Sequence, residues 1–138
     1  MDKLIFALNL IVDFIDYNET VNESELANYL LFTGFDDYEI RQILALIGIN
    51  DKLNRNGFRI FTKKEKHLFS KEAINYIEKL FLAGIIDFVD GEEIIERAIN
   101  EENYQISVDQ IKEHTLIILL EKQSNLYYSK GIEDETTH

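Results

Sequence analysis

The chain has no cysteine, no proline and no tryptophan among its 138 residues. Without cysteine it can form no disulfide, and it offers neither a thiolate metal ligand nor a cysteine nucleophile. The absence of proline removes the strongest helix breaker and favours a mainly helical chain. The lack of thiols fits a protein of the reducing cytoplasm.

Long apolar runs are lacking as well. The run from Leu4 to Phe14 is interrupted by Asn9 and Asp13, and no small-residue cleavage site follows it, so it does not predict a signal peptide. The run from Leu116 to Leu120 is far shorter than the roughly 20 residues of a membrane span. We therefore expect a soluble, cytoplasmic protein without a membrane segment.

Apolar residues recur at helical spacing along most of the chain. This pattern predicts helices over residues 2–17, 23–33, 37–48, 71–83, 91–101 and 108–123, and a short helix between Thr62 and Phe69. The candidate N-caps are Asn22, Asp36 or Asp37, Thr62, Ser70, Asp90 and Ser107. Gly34 is predicted to end its helix as a left-handed residue, and Gly84 to end the helix over residues 71–83. The predicted fold class is mainly α, a compact single domain of about six helices with one small β-hairpin.

The hairpin is predicted within residues 52–61, where Asn56 and Gly57 lie between two short runs. A type I′ turn requires positive φ at both central positions, which Asn-Gly tolerates. Two helices joined by a short turn at Gly34 precede it, so residues 1–62 have the order of a winged helix. Residues 63–125 form a helical half that shares the core of a single domain 1–125, and residues 126–138 are predicted to be a flexible acidic tail.

Positive charge is concentrated in residues 52–71, in a chain whose net charge is −12. The segment holds seven of the 14 basic residues and a single acidic one. The candidate partner-binding residues are Lys52, Arg55, Arg59, Lys63, Lys64 and Lys66. Such asymmetry indicates either a surface for an anionic partner or one that packs against the protein's own acidic residues.

Four blocks of residues, in order, resemble the bacterial Smg family over about residues 1–120. They are Gly34-Phe35-Asp36 with Glu39-Ile40; Arg59-Ile60-Phe61-Thr62 with Glu65 and Leu68; Leu80 to Gly84 followed by Glu93, Ile94, Ile95, Arg97 and Ala98; and Ile106-Ser107 with Asp109 and Lys112. The family has no established activity and no catalytic residues to carry over. The resemblance implies a bacterial cytoplasmic protein.

Catalytic signals are missing from the sequence. His67, His114 and His138 have no neighbour at metal-ligand spacing and are interpreted as partly exposed side chains. Adjacent acids such as Glu101 and Glu102 do not share a helix face and are interpreted as solvated charges. We therefore expect neither an enzyme, nor a metal site, nor a cofactor.

Two functions remain open. The first is a non-catalytic cytoplasmic adaptor or regulatory protein that acts through protein–protein contacts. The second is an accessory nucleic-acid-binding module that uses the basic segment. Phe58, Phe61 and Phe69 lie among its bases, as on a stacking platform, although aromatic residues more often belong to the core. Residues 19–49 contain six acids and one base, so the candidate recognition helix would be repelled by a duplex, which disfavours groove binding.

Overall fold

Seven α-helices account for most of the residues that the computed structural model describes, which are 2–19, 21–47, 60–101 and 105–136, with side chains from residue 3 to residue 122. The helices are α1 (Asp2–Tyr17), α2 (Glu23–Phe32), α3 (Asp37–Ile47), α4 (Lys63–Leu68), α5 (Lys71–Ala83), α6 (Phe88–Asn100) and α7 (Val108–Thr136). The mainly α class is thus confirmed. None of these helices combines the length and the apolar character needed to cross a bilayer.

Short polar side chains begin the helices where the sequence predicts them. The side chains of Asn22 and Ser70 accept hydrogen bonds from amides three residues later, at 2.8 and 3.0 Å. At α3 the cap is Asp36 rather than Asp37, because Asp36 and Glu39 each bind the other's backbone amide. Such reciprocal pairs satisfy two amides that the first turn leaves without an intrahelical partner.

The start of α6 differs from the prediction. The cap is Asp87, whose carboxylate accepts a hydrogen bond from the Asp90 amide at 2.8 Å, and the helix begins at Phe88. Asp90 is the third helical residue, and its carboxylate accepts a hydrogen bond of 3.4 Å from the Asp87 amide. The helix therefore begins three residues before the predicted start, and exposed Phe88 and Val89 form its first turn.

Two glycines turn the chain back onto the core. Gly34 and Gly84 have φ values of 109° and 79°, a region that side chains with a Cβ rarely adopt. After each glycine the next residue, Phe35 or Ile85, is buried, and its amide binds a carbonyl in the last turn of the helix just completed. Both predicted helix ends are confirmed, and each is a Schellman motif.

The helix α7 lies at the centre of the packing and contacts α1, α5 and α6. The pair α2 and α3 packs together, and α2 also contacts α1. Every helix except α4 contributes buried residues to the core. Phe61 and Phe69, which lie on either side of α4 in the sequence, are also buried in the core. The last helix runs to Thr136, beyond its predicted end near residue 123. The division into a domain 1–125 and a flexible tail 126–138 stays a prediction.

Polar contacts fix the end of α1, which has no basic residue in its last turn. Tyr76 donates a hydrogen bond to the Val12 carbonyl at 2.8 Å, and Lys79 reaches the carbonyls of Ile15 and Asp16, both at 3.2 Å. Burial raises the pKa of the Tyr76 hydroxyl well above its usual range, and nearby carboxylates add to this shift. Lys79 of α5 thus complements the partial negative charge at the α1 terminus.

The predicted hairpin falls mostly outside the described residues, since these resume at Ile60. Ile60 and Phe61 lie in no strand, and in the described ranges the β-type pairing is a single parallel bridge between Phe69 and Ile106. The described structure therefore gives no support to the hairpin or to the comparison with a winged helix.

Candidate partner-binding surface on the basic helix

A capping box fixes the start of α4. Thr62 Oγ1 accepts a hydrogen bond from the Glu65 amide at 3.1 Å, and Glu65 Oε1 accepts one from the Thr62 amide at 2.9 Å. The residues just before and after this unit, Phe61 and Phe69, are buried, with ring centroids 6.2 Å apart. A six-residue helix is too short to be stable alone, so these anchors are what hold it.

Backbone pairing also ties the end of α4 to the start of α7. The Ile106 amide donates to the Leu68 carbonyl at 2.7 Å, and the Ser70 amide donates to the Ile106 carbonyl at 2.9 Å. Because α4 is held at both ends, its outer face has a fixed orientation towards solvent.

That outer face carries the described part of the basic segment. Lys63, Lys64, Lys66 and His67 on α4 and Lys71 at the start of α5 are all exposed. Among the described side chains, no carboxylate lies within 4 Å of these four lysine ammonium groups. In this part of the segment the positive charge therefore faces away from the acids of the described structure.

Most other bases of the described structure are engaged by the protein itself. The ion pairs join Lys3 to Glu39, Arg97 to Glu93 and Glu121, Lys112 to Asp13 and Asp16, and Lys122 to Asp90. Lys79 binds backbone carbonyls, as described above. Arg41 alone among the described bases outside residues 52–71 has no such partner. The fold thus uses its scattered cations internally and leaves those of α4 available.

Half of the predicted site residues can be placed. Lys63, Lys64 and Lys66 lie together on α4, whereas Lys52, Arg55 and Arg59 lie outside the described residues. Phe58 is also outside them. Phe61 and Phe69 are core residues at 6% and 1% exposure, so for these two the core interpretation is confirmed and the stacking platform is excluded. Ile60, three residues before Lys63 in the sequence, is an apolar side chain that is 85% exposed.

The candidate recognition helix α3 buries one face and exposes the other. Ile40, Ile43, Leu44 and Ile47 are buried. Its exposed residues include Asp37, Tyr38, Arg41 and Gln42, and Gln42 donates a hydrogen bond to the Tyr38 hydroxyl at 2.8 Å. The single exposed base on this face is Arg41, which is little for an element that would enter a phosphate-lined groove.

His114 is buried, contrary to its interpretation as a partly exposed side chain. It is 8% exposed, and its Nε2 lies 2.8 Å from Glu101 Oε1 at the end of α6. The hydrogen bond to His114 lowers the pKa of Glu101, which is therefore not simply a solvated charge. The spacing did contain a signal, because position 114 is three residues after Ile111 and four before Ile118, both buried.

Glu101, Gln110 and His114 form a hydrogen-bonded cluster that links the end of α6 to α7. Gln110 also donates to Glu101 Oε1, at 3.3 Å, whereas His114 Nδ1 is buried and has no hydrogen-bond partner among the described residues. Over the described ranges, no group of three or more acidic or histidine side chains is placed to share a metal ion. His67 is exposed, as expected, and His138 lies outside the described residues.

The fold and this surface define a small helical protein that presents a basic helix. A sequence model of the family described as "Protein of unknown function (DUF494)" matches residues 4–134, and the chain belongs to that family. It is 27% identical to the "Protein Smg homolog" of Azoarcus sp. (strain BH72) over 124 residues, which cover 83% of this chain and 80% of the relative. It is 28% identical to the "Protein Smg homolog" of Nitrosomonas eutropha over 136 residues, which cover 90% and 88%. The resemblance to the Smg family is confirmed, and no solved structure shows a significant match.

Proposed function

We propose that this protein is a non-catalytic adaptor or regulatory protein of the bacterial cytoplasm, and that it binds a protein partner through α4. The observation that carries the proposal is the contrast in charge pairing. The lysines of α4 are exposed and have no carboxylate partner among the described side chains, whereas most other described bases are held by the protein itself. A partner with an acidic surface fits this helix.

The anchoring of α4 supports the same function. A capping box and two buried aromatic residues hold the lysines in place before a partner arrives. Such preorganisation lowers the conformational entropy that binding would otherwise cost. Ile60, just before α4 in the sequence, adds an exposed apolar side chain that a protein interface can bury.

The experiment compares two charge reversals. Lys64→Glu alters α4, and Arg41→Glu is the control, with the same change of −2 in net charge at an exposed base elsewhere that also has no carboxylate partner among the described residues. Each protein is used to capture partners from a lysate of the organism that encodes it, and the captured proteins are identified by mass spectrometry. Both variants should keep near wild-type stability, because exposed charges contribute little.

The α4 variant should lose the partners that the wild type and the control retain. A folded α4 variant that captures every wild-type partner would refute the proposal. So would the absence of any reproducible partner of the wild-type protein.

Nucleic-acid binding is the second candidate, since exposed lysines also suit phosphate groups. It would gain force if residues 52–59 formed the predicted basic wing beside α4. The exposed acids of α3 oppose groove binding, so contact would be limited to the nucleic-acid backbone. Gel shifts with random duplex DNA and with structured RNA at about 50 mM salt test this function, because backbone binding is strongest at low salt. The absence of a gel shift at micromolar protein concentration would refute nucleic-acid binding.

A further inference from the structure

The solvent face of α6 combines exposed apolar side chains with acids. Phe88 and Val89 are 62% and 69% exposed in its first turn, and Ile99 is 37% exposed near its end. Between them Glu92 and Glu96 lie on the same side of the helix, four and eight residues after Phe88. The opposite side of α6 is buried through Gly91, Ile94, Ile95 and Ala98.

Acids outnumber bases around this face, and the nearby bases are paired. Residues 80–96 contain five acids, Asp87, Asp90, Glu92, Glu93 and Glu96, and no lysine or arginine. Asp90 and Glu93 pair with Lys122 and Arg97, so those two bases are already neutralised. The side chains of Asp87 and Glu96 are exposed, and among the described residues neither has a cation within 4 Å. The field over the apolar residues is therefore negative.

We propose that the solvent face of α6 is a docking surface for a cationic amphipathic segment of another protein, with large apolar side chains on one side and lysine or arginine beside them. Charge complementarity selects this occupant, because acidic surfaces, nucleic acids and anionic lipids would all be repelled. Exposed apolar residues rimmed by charges are typical of interaction sites. The inference does not depend on the function proposed for α4, since the two surfaces share no residue.

The probe is a synthetic helical peptide of about 16 residues, built from leucine and lysine at amphipathic spacing. Two control peptides have the same composition in scrambled order, or glutamate in place of lysine. Calorimetry gives the affinity and stoichiometry, and amide chemical shifts of the isotope-labelled protein locate the binding site. We expect saturable one-to-one binding of the first peptide, with shifts centred on α6 and an affinity that falls with salt.

Phe88→Ala with Val89→Ala should weaken binding at least tenfold, because the apolar contacts are lost. The matched control is Leu31→Ala with Phe32→Ala, which removes two residues of similar exposure at the end of α2. Several outcomes would overturn the proposal: equal effects of the two doubles, shifts spread over all acidic surfaces, or equal binding of the scrambled peptide. Sedimentation that shows self-association abolished by the Phe88 and Val89 changes would also overturn it, because the occupant would then be a second copy of the chain.

Discussion

Gly91→Ala tests the packing between α5 and α6. A methyl group built on Gly91 would lie 2.1 Å from Cζ of Phe81, and 2.9 and 3.0 Å from the two Cε atoms of the ring. Carbon atoms in favourable contact are about 3.5–4.0 Å apart, so the ring would have to move by roughly 1.5 Å. Phe81 is 4% exposed and belongs to the core, which leaves it little room to move.

Two effects of opposite sign decide the outcome. Alanine is favoured over glycine inside a helix by about 1 kcal/mol. Overpacking a well-filled core costs about 1–3 kcal/mol. We therefore expect Gly91→Ala to lower the free energy of unfolding, by up to about 2 kcal/mol, although the substitution improves the intrinsic propensity of the helix.

Urea denaturation followed by circular dichroism at the helical band measures this change. With a slope of about 2 kcal/mol/M, a loss of 1 kcal/mol lowers the midpoint by roughly 0.5 M. The propensity term is measured in the same helix at exposed Glu96, from the difference between Glu96→Ala and Glu96→Gly. Subtracting that difference isolates the cost of the contact with Phe81.

A double-mutant cycle then identifies the clash. Phe81→Leu shortens the side chain that the new methyl group meets, so Gly91→Ala should become stabilising in that background, by up to about 1 kcal/mol. The effect of Gly91→Ala on the free energy of unfolding would thus change sign when Phe81 is replaced. If Gly91→Ala stabilised the wild-type protein, or cost the same in both backgrounds, the close packing of Gly91 on Phe81 would be refuted.

Three further substitutions test the polar contacts. Tyr76→Phe should lower the free energy of unfolding by about 1 kcal/mol through loss of the bond to the Val12 carbonyl, as measured by urea denaturation. Lys112→Met should cost about 1 kcal/mol, because two aspartates of α1 lose their partner, and high salt should reduce this cost. Since His114 lowers the pKa of Glu101 below 4.5 in the folded protein, their pair stabilises above that pH and is lost as the pH falls further. Glu101→Gln should therefore flatten the acid-induced loss of stability, and an unchanged pH profile would contradict this role.

Local signals in the sequence predicted most of the helices because capping and helix termination depend on near neighbours. Asn22, Thr62 and Ser70 bind amides three residues away, and Gly34 and Gly84 end helices through their own φ angles. These interactions need no knowledge of the tertiary fold. The same features therefore appear in the structure where the sequence places them.

The sequence predictions were wrong where the tertiary fold decides between local alternatives. Asp87 and Asp90 are both able to cap α6; in the structure Asp87 is the cap, and Ile85 and Ile86 just before it are buried in the core. His114 finds its partner 13 residues away on another helix, which no local pattern reveals. The exposure of the lysines on α4 was likewise undecidable from the sequence, because it depends on where the acids of other helices lie.

The two proposed surfaces should act independently for a physical reason. α4 lies just before the start of α5, whereas Phe88 and Val89 lie shortly after the end of α5, which is 13 residues long. At 1.5 Å per residue this helix is about 20 Å long, which exceeds twice the screening length of about 8 Å at physiological ionic strength. A reversal of charge on α4 should therefore leave the peptide affinity of α6 unchanged, and the reverse should also hold. The net charge of −12 would then not predict the binding preference of either surface, because each partner responds to the local field within one screening length.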